Sequence, residues 1–328
     1  MRFLAVLPGV ALAATIAGLA FGLTRWIGFP GTSPLIVAIL LGMGLRVCNG
    51  VPVAARPGLA MVVQHALRIG IALLGFRLTL GELSAIGGRG VAVALLTLGG
   101  TYVFTRWMGR LLRVDGNLVQ LIAAGTSICG ASAIIGANTL TQANEEDVSY
   151  AVGAVTVMGL LLMLLYPLTA RWVPLTSQNY GLWVGSSIHE VPQAVAAGFQ
   201  RGAVAGEVAT VAKLTRVLVL APAILLGWHL RRREQPSQSG SLRIPVPWFA
   251  LGFIVAAASS SLNWIPNGGR AVMVDGASVL LCLGMAAVGL ETNARGFLDR
   301  GLRPLGLTVA ATIFIALFSL GLIGLGHG

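Results

Sequence analysis

Gly125-Thr126-Ser127-Ile128-Cys129-Gly130-Ala131-Ser132-Ala133-Ile134-Ile135-Gly136 puts three glycines and three hydroxyls in the middle of an apolar stretch long enough to span a bilayer. A continuous helix gains nothing from that composition. A helix that breaks between Gly125 and Gly130 turns backbone N–H groups, and the positive end of the half-helix that follows, toward a cavity near the midplane where an anion can be held. The other reading is a close helix-packing face, since small residues spaced by four let backbones approach in lipid. Packing needs only one small face, however, and this run is small almost all round. On the anion reading Thr126, Ser127, Cys129, Gly130 and Ser132 are candidate substrate-binding residues.

The chain around this run is apolar from end to end. Of 328 residues, 56% are hydrophobic and 10% charged, against about 25% charged in a soluble domain, and mean hydropathy is +0.85. That excludes a soluble enzyme, a disordered chain and a disulfide scaffold, and predicts an all-α polytopic membrane protein. Eleven candidate crossings run approximately over 3–23, 33–48, 58–77, 89–109, 117–140, 148–169, 180–200, 206–229, 246–262, 270–290 and 304–325. The first begins Met1-Arg2 and contains Ala11-Leu12-Ala13, which resembles a signal peptide, but the similar segments that follow make it read as an uncleaved helix. A formal charge of +11 would suggest nucleic acid in a soluble protein. Here 21 of the 22 basic residues are Arg, mostly in short loops, so the charge reports topology and no nucleic-acid partner is expected. Alternate-side counting puts 14 basic residues with the N-terminus and 5 opposite, which places the N-terminus in the cytoplasm and the C-terminus in the periplasm. A polar linker over 231–245 falls on the cytoplasmic side. Cys48, Cys129 and Cys282 have no metal-ligand spacing, so neither a metal nor a cofactor is expected.

Arg68, Lys213 and Arg216 remain, all inside predicted helices, where insertion costs about 2.5–3.5 kcal/mol each. Few acids match them at depth: Glu190 is the clearest, while Asp275 and Glu207 lie nearer helix ends. The cavity should be net positive. The competing reading has these cations pairing with helix-end carbonyls or snorkelling outward. His65 and Arg68, like Lys213 and Arg216, are three apart on one helix face, and the pairs are offset by 148 residues. Gly31-Thr32-Ser33 and Gly185-Ser186-Ser187 are offset by 154, and Gly125-Thr126-Ser127 and Gly276-Ala277-Ser278 by 151. These offsets predict an extra N-terminal helix over 1–30 and two inverted five-helix repeats, 31–171 (helices 2–6) and 180–326 (helices 7–11), with the tenth segment the partner of the fifth. Small-residue triplets and Arg are common here, so any single match is weak.

In the seventh segment, Ser186-Ser187-Ile188-His189-Glu190-Val191-Pro192-Gln193 sets a proline among polar groups, which invites a kink or local unwinding. His189-Glu190-Val191-Pro192-Gln193 is only superficially a zincin helix, because Gln193 stands where the second His ligand must be. His189 either binds substrate or carries a proton, with Glu190 orienting it, or makes an ordinary interhelical hydrogen bond.

At Gly125 to Ala133, His189 to Gly198, Val211 to Arg216 and Ala286 to Asn293, the chain resembles the YeiH-like sulfate exporter family of bacterial inner membranes, over essentially its whole length. Pro192 departs from the pattern, in which Ala more often precedes the Gln. The family is similar to the group containing bile acid symporters and cation/proton antiporters. The resemblance implies a core of crossed broken helices moving against a dimerising scaffold, hence a homodimer. The expected function is a secondary active transporter that moves a small anion (sulfate, or an organic sulfonate or carboxylate) by alternating access. Arg68, His189, Glu190, Gln193, Lys213 and Arg216 join the hydroxyl-rich run in binding it, and a proton or sodium is the coupling ion. The alternative is a cation/proton antiporter with Glu190 or Asp275 as carrier. A membrane-embedded enzyme lacks any nucleophile–base or metal spacing.

Overall fold

The computed structural model describes residues 2–27, 33–78, 87–169, 172–220, 222–223, 226, 229, 248–262, 264–292 and 301–325. The 231–245 linker and the Gly31-Thr32 pair lie outside them. The described residues form thirteen helices: α1 (Arg2–Ile27), α2 (Pro34–Asn49), α3 (Val53–Arg77), α4 (Gly87–Leu111), α5 (Gly116–Ser127), α6 (Ala131–Thr141), α7 (Glu145–Thr169), α8 (Ser177–Ser187), α9 (Val191–Gln200), α10 (Ala203–Leu218), α11 (Trp248–Ser261), α12 (Asn267–Glu291) and α13 (Leu302–Gly324). Six of them, α1, α3, α4, α7, α12 and α13, are each long and apolar enough to cross a bilayer.

The chain divides into two compact units. One comprises Met1–Ala85, Phe199–Gly202 and Trp248–Asn293, and the other Ile86–Gly198, Ala203–Pro247 and Ala294–Gly328. In the first unit, α2 and α12 touch backbone to backbone. A Cβ on Gly42 would lie 2.6 Å from the Ala286 carbonyl oxygen, and one on Gly289 would lie 2.3 Å from that of Ile39. This corrects the expected break in the tenth segment: α12 runs unbroken for 25 residues. Its small residues serve close packing, and its Ser278 hydroxyl donates back to the Val274 carbonyl at 3.1 Å. Arg68 belongs to this unit, half-buried on α3 just after a π-helical turn at Val62–Ala66. Asp275 of α12 is exposed.

In the second unit the fifth and seventh segments are the broken ones, and each folds back on itself. Gly125 of α5 lies against the Ile134 side chain of α6. Asp115 and Asn117, before and at the start of α5, share one pocket of about 850 Å³ with Gln142 and Asn144 from just beyond α6, with Asp147 in the first turn of α7 and with Arg303 of α13. In the seventh segment, the Tyr180 hydroxyl near the start of α8 donates to the Ala197 carbonyl near the end of α9 at 3.5 Å, and Gly181 and Gly198 both approach Ala205 of α10. Both are helical hairpins, not crossed helices. Breaking a helix orphans its end carbonyls and amides; folding back brings both sets of orphans to the tip and leaves the arms to bury their apolar faces. Leu118, Leu121 and Ile122 of α5 do so with Ile134 of α6 and with Tyr150, Ala151, Ala154 and Val155 of α7.

The helix α13, 23 residues long, serves as a ruler. Arg303 and Pro304 line the pocket at the base of the first hairpin, Thr312 bonds to the tip of the second, and the Ala316 carbonyl accepts from Trp183 further down the second at 2.8 Å. At about 1.5 Å per residue, the second hairpin's tip is roughly 13 Å from the first hairpin's base. The hairpins therefore enter from opposite ends of a helix about 34 Å long and meet near its middle.

Candidate functional site

Each tip has a local cause. In the first, Gly130 stands at φ +70, ψ −132, a conformation for glycine alone, and its amide donates to the Gly125 carbonyl at 2.9 Å, which closes the end of α5. In the second, Ile188 is extended at φ −63, ψ 141. Pro192 falls in the first turn of α9, where a missing N–H costs nothing, and the Glu190 carbonyl accepts from Ala194 N–H at 3.0 Å. Pro192 thus starts a half-helix, and the seventh segment is unwound over residues 188–190.

The carbonyls left over at the ends of α5 and α8 converge on one face of α10. Lys213 Nζ donates to the carbonyls of Ile128 at 3.0 Å and Ile188 at 2.6 Å. Arg216 donates through Nε to Ser127 at 2.9 Å, through one terminal nitrogen to Ser186 at 2.6 Å, and through the other to Thr126 at 3.1 Å and to Ser127. Both cations are fully buried. They neutralise the negative dipole ends of two half-helices at once, so in this conformation the carbonyl-pairing alternative describes them. A Lys ammonium carries three protons and an Arg guanidinium five; these bonds occupy two and four.

At the positive end of α6, Glu190 packs over Gly130. Its carboxylate accepts from the Thr156 hydroxyl at 2.7 Å and interacts with the Ala131 backbone, and Cys129 interacts with the backbone of Ala133. Gln193, one turn beyond Glu190, donates from Nε2 to the Thr156 carbonyl at 3.0 Å. His189 Nε2 pairs with Thr312 Oγ1 at 3.0 Å; the ring also interacts with the Thr126 backbone, without a normal hydrogen bond to Nδ1.

The structure thus joins Thr126, Ser127, Cys129, Gly130, His189, Glu190, Gln193, Lys213 and Arg216 in one junction, with Ser132 half-buried beside it. It places Arg68 in the other unit. Thr126 and Ser127 bond their hydroxyls back to the carbonyls of Ile122 and Ala123, and so line the tip without presenting a donor to it. Sequence reasoning missed Thr156, Thr312 and Tyr166, and named Ser186 only as part of the seventh segment's polar run. Tyr166 stacks on Trp183 with ring centroids 4.0 Å apart and donates to Ser187 Oγ at 2.8 Å. Ser186 Oγ is buried without a hydrogen-bond partner. A usable signal was present: Gly125-Thr126-Ser127-Ile128 returns as Gly185-Ser186-Ser187-Ile188 after 60 residues, and both copies end the first arm of a hairpin.

Comparison with known proteins agrees with the membrane reading. A family model described as conserved hypothetical protein 698 matches residues 8–308. The UPF0324 membrane protein YPO1307/y2878 of Yersinia pestis is 35% identical, with 96% of this chain and 91% of the relative aligned. The UPF0324 membrane protein PA5383 of Pseudomonas aeruginosa is 36% identical over 94% and 90%. The UPF0324 inner membrane protein YeiH of Escherichia coli K12 is 34% identical over 91% and 88%. No solved structure matches the chain. The chain is a membrane protein and belongs to the YeiH-like UPF0324 family.

Proposed function

We propose that the protein is a secondary transporter of the bacterial inner membrane, and that its substrate, a small anion such as sulfate or an organic sulfonate or carboxylate, binds where the two hairpin tips meet. The observation that carries this reading is the pair of fully buried cations, Lys213 and Arg216, bridging the tips of two opposed hairpins. Irregular backbone at membrane depth is sustained where it is buried in protein or lines a cavity, and in transporters such breaks form the substrate site. Two cations face one carboxylate there, which favours a negative guest. Lys213 is the mobile half of the clamp, because a flexible ammonium with two carbonyl bonds is released more readily than a guanidinium with four.

Uptake into proteoliposomes tests this. Lys213→Met, which keeps the stem and removes the charge, is expected to lower uptake of the best anion at least tenfold while the protein stays folded. Wild-type uptake in Lys213→Met would remove Lys213 from the binding site, and proton efflux driven by sodium or potassium, with no anion uptake by the wild type, would replace this reading by the cation/proton antiporter.

The hairpins also bear on topology. If both are re-entrant, nine segments cross, the N-terminus stays cytoplasmic and the C-terminus periplasmic, and only Arg171 changes sides, so that 14 basic residues against 5 becomes 13 against 6. The acidic first turn of α7, Glu145-Glu146-Asp147, then lies on the cytoplasmic side with Arg113 and Arg303. Single cysteines at Asn117→Cys and Asn144→Cys, in a background with Cys48→Ser, are expected to react with an impermeant maleimide from the same face of the membrane. Labelling from opposite faces would restore a crossing helix.

A further inference from the structure

We infer that Glu190 is the coupling residue of the transporter, a carboxylate of the chain that holds the substrate's place and gives it up by taking a proton. This rests on the anion reading above and adds the identity of the coupling ion and the group that carries it. The N-terminus of α6 is where an anion would dock. In this conformation it is taken: Glu190 lies over Gly130, the position a Cβ would occupy on Gly130 is 3.0 Å from Glu190 Oε1, and the carboxylate accepts from Thr156. The one negative charge at the junction thus sits on the element that would otherwise receive the guest.

Donor capacity supports a guest at the same junction. Ser186 Oγ, fully buried in the last turn of α8, has no hydrogen-bond partner. One proton on Lys213 and one on Arg216 are also not engaged by the carbonyls they cap. A tetrahedral or planar oxyanion offers acceptors to such a set. The carboxylate of Glu190 and a guest anion repel at this range, so both occupy the junction only when Glu190 is neutral.

Among the described residues, the charged and titratable groups around Glu190 are few. Lys213 and Arg216 face the junction from α10, Cys129 from the first hairpin tip and His189 from its own; α7 presents the neutral Thr156 and α13 the neutral Thr312. A proton on His189 would add a third cation beside Lys213 and Arg216, whereas a proton on Glu190 removes the one negative charge that the described residues bring to the junction. Proton and anion then move together. One sulfate with one proton transfers a net single negative charge.

Sulfate binding by the purified full-length protein, with proton uptake recorded in weak buffer at pH 8, tests the assignment. Wild type is expected to take up about one proton for each sulfate bound. Glu190→Gln keeps an oxygen for the Thr156 hydroxyl and so preserves the packing. It should bind sulfate with no proton uptake and about tenfold more tightly at pH 8, because the competent neutral state is then always populated. Glu190→Asp should retain proton uptake. Undiminished proton uptake in Glu190→Gln, or loss of its sulfate binding while wild type still binds, overturns the assignment and leaves the anion reading intact. Failure of both wild type and Glu190→Gln to bind sulfate, methanesulfonate and acetate overturns the anion reading and this inference with it.

Discussion

Arg216→Ala is expected to disassemble the junction, lowering stability by on the order of 3–5 kcal/mol and abolishing transport. The guanidinium fills four donor positions on three carbonyls, those of Thr126, Ser127 and Ser186, which belong to two different half-helices. Those carbonyls are the unsatisfied ends of α5 and α8, and no water reaches the buried side chain that caps them. Removing one partner of a buried charged network leaves the others unpaired in low dielectric, which is the costly case. Arg216→Lys should recover only part of the loss, because a point ammonium cannot fork between the two tips as the guanidinium does. Thermal unfolding in detergent, followed by retention of the folded elution peak, reads the effect. The ordering expected is wild type, then Lys213→Met, then Arg216→Lys, then Arg216→Ala. An Arg216→Ala protein as stable as wild type would mean that the tips are held by their own packing and that the cations are free for substrate.

Much of this was legible in the residues. Hydropathy pointed to an all-helical membrane chain, of whose described helices six are long and apolar enough to cross, and the run from Gly125 to Gly136 announced a break because glycines and hydroxyls gain nothing inside a lipid-facing helix. The intramembrane position of Lys213 and Arg216 pointed to the junction they occupy, and Glu190 was visible as their one deep counter-charge. What stayed hidden was the direction of the chain after each break. A hairpin and a crossed broken helix need the same composition at the break and the same apolar arms. They differ in whether the distal ends meet, as Asn117 and Asn144 do in one pocket, and local sequence carries no record of that. The partner of the first break was misassigned for a related reason. The triplets at offsets of 151 and 154 match in composition, but Gly276-Ala277-Ser278 lies in a helix that stays whole. The 60-residue return of Gly-(Thr/Ser)-Ser-Ile includes the residue after the triplet, Ile128 or Ile188, whose carbonyl Lys213 caps in both tips. Thr156 and Thr312 escaped notice because a threonine bonding its own helix is common in lipid, and only the third dimension brings their hydroxyls to Glu190 and His189.

Gly130→Ala is expected to inactivate the protein through two separable effects. The first is conformational: at φ +70 and ψ −132 an L-residue is strained whatever surrounds it, at a cost of about 1–3 kcal/mol. The second is steric, since the added Cβ would stand 2.5 Å from Glu190 Cγ. The glutamate can swing away from the Cβ, and in doing so it surrenders the Thr156 hydrogen bond and the positive end of α6. The backbone strain has no such escape. A double-mutant cycle with Glu190→Ala separates the two. If the clash matters, Gly130→Ala should cost less stability in the Glu190→Ala background than in wild type, and the residue that persists is the strain. Equal costs in both backgrounds would show that the carboxylate exerts no pressure on the tip, and would remove the contact that places Glu190 at the entrance to α6.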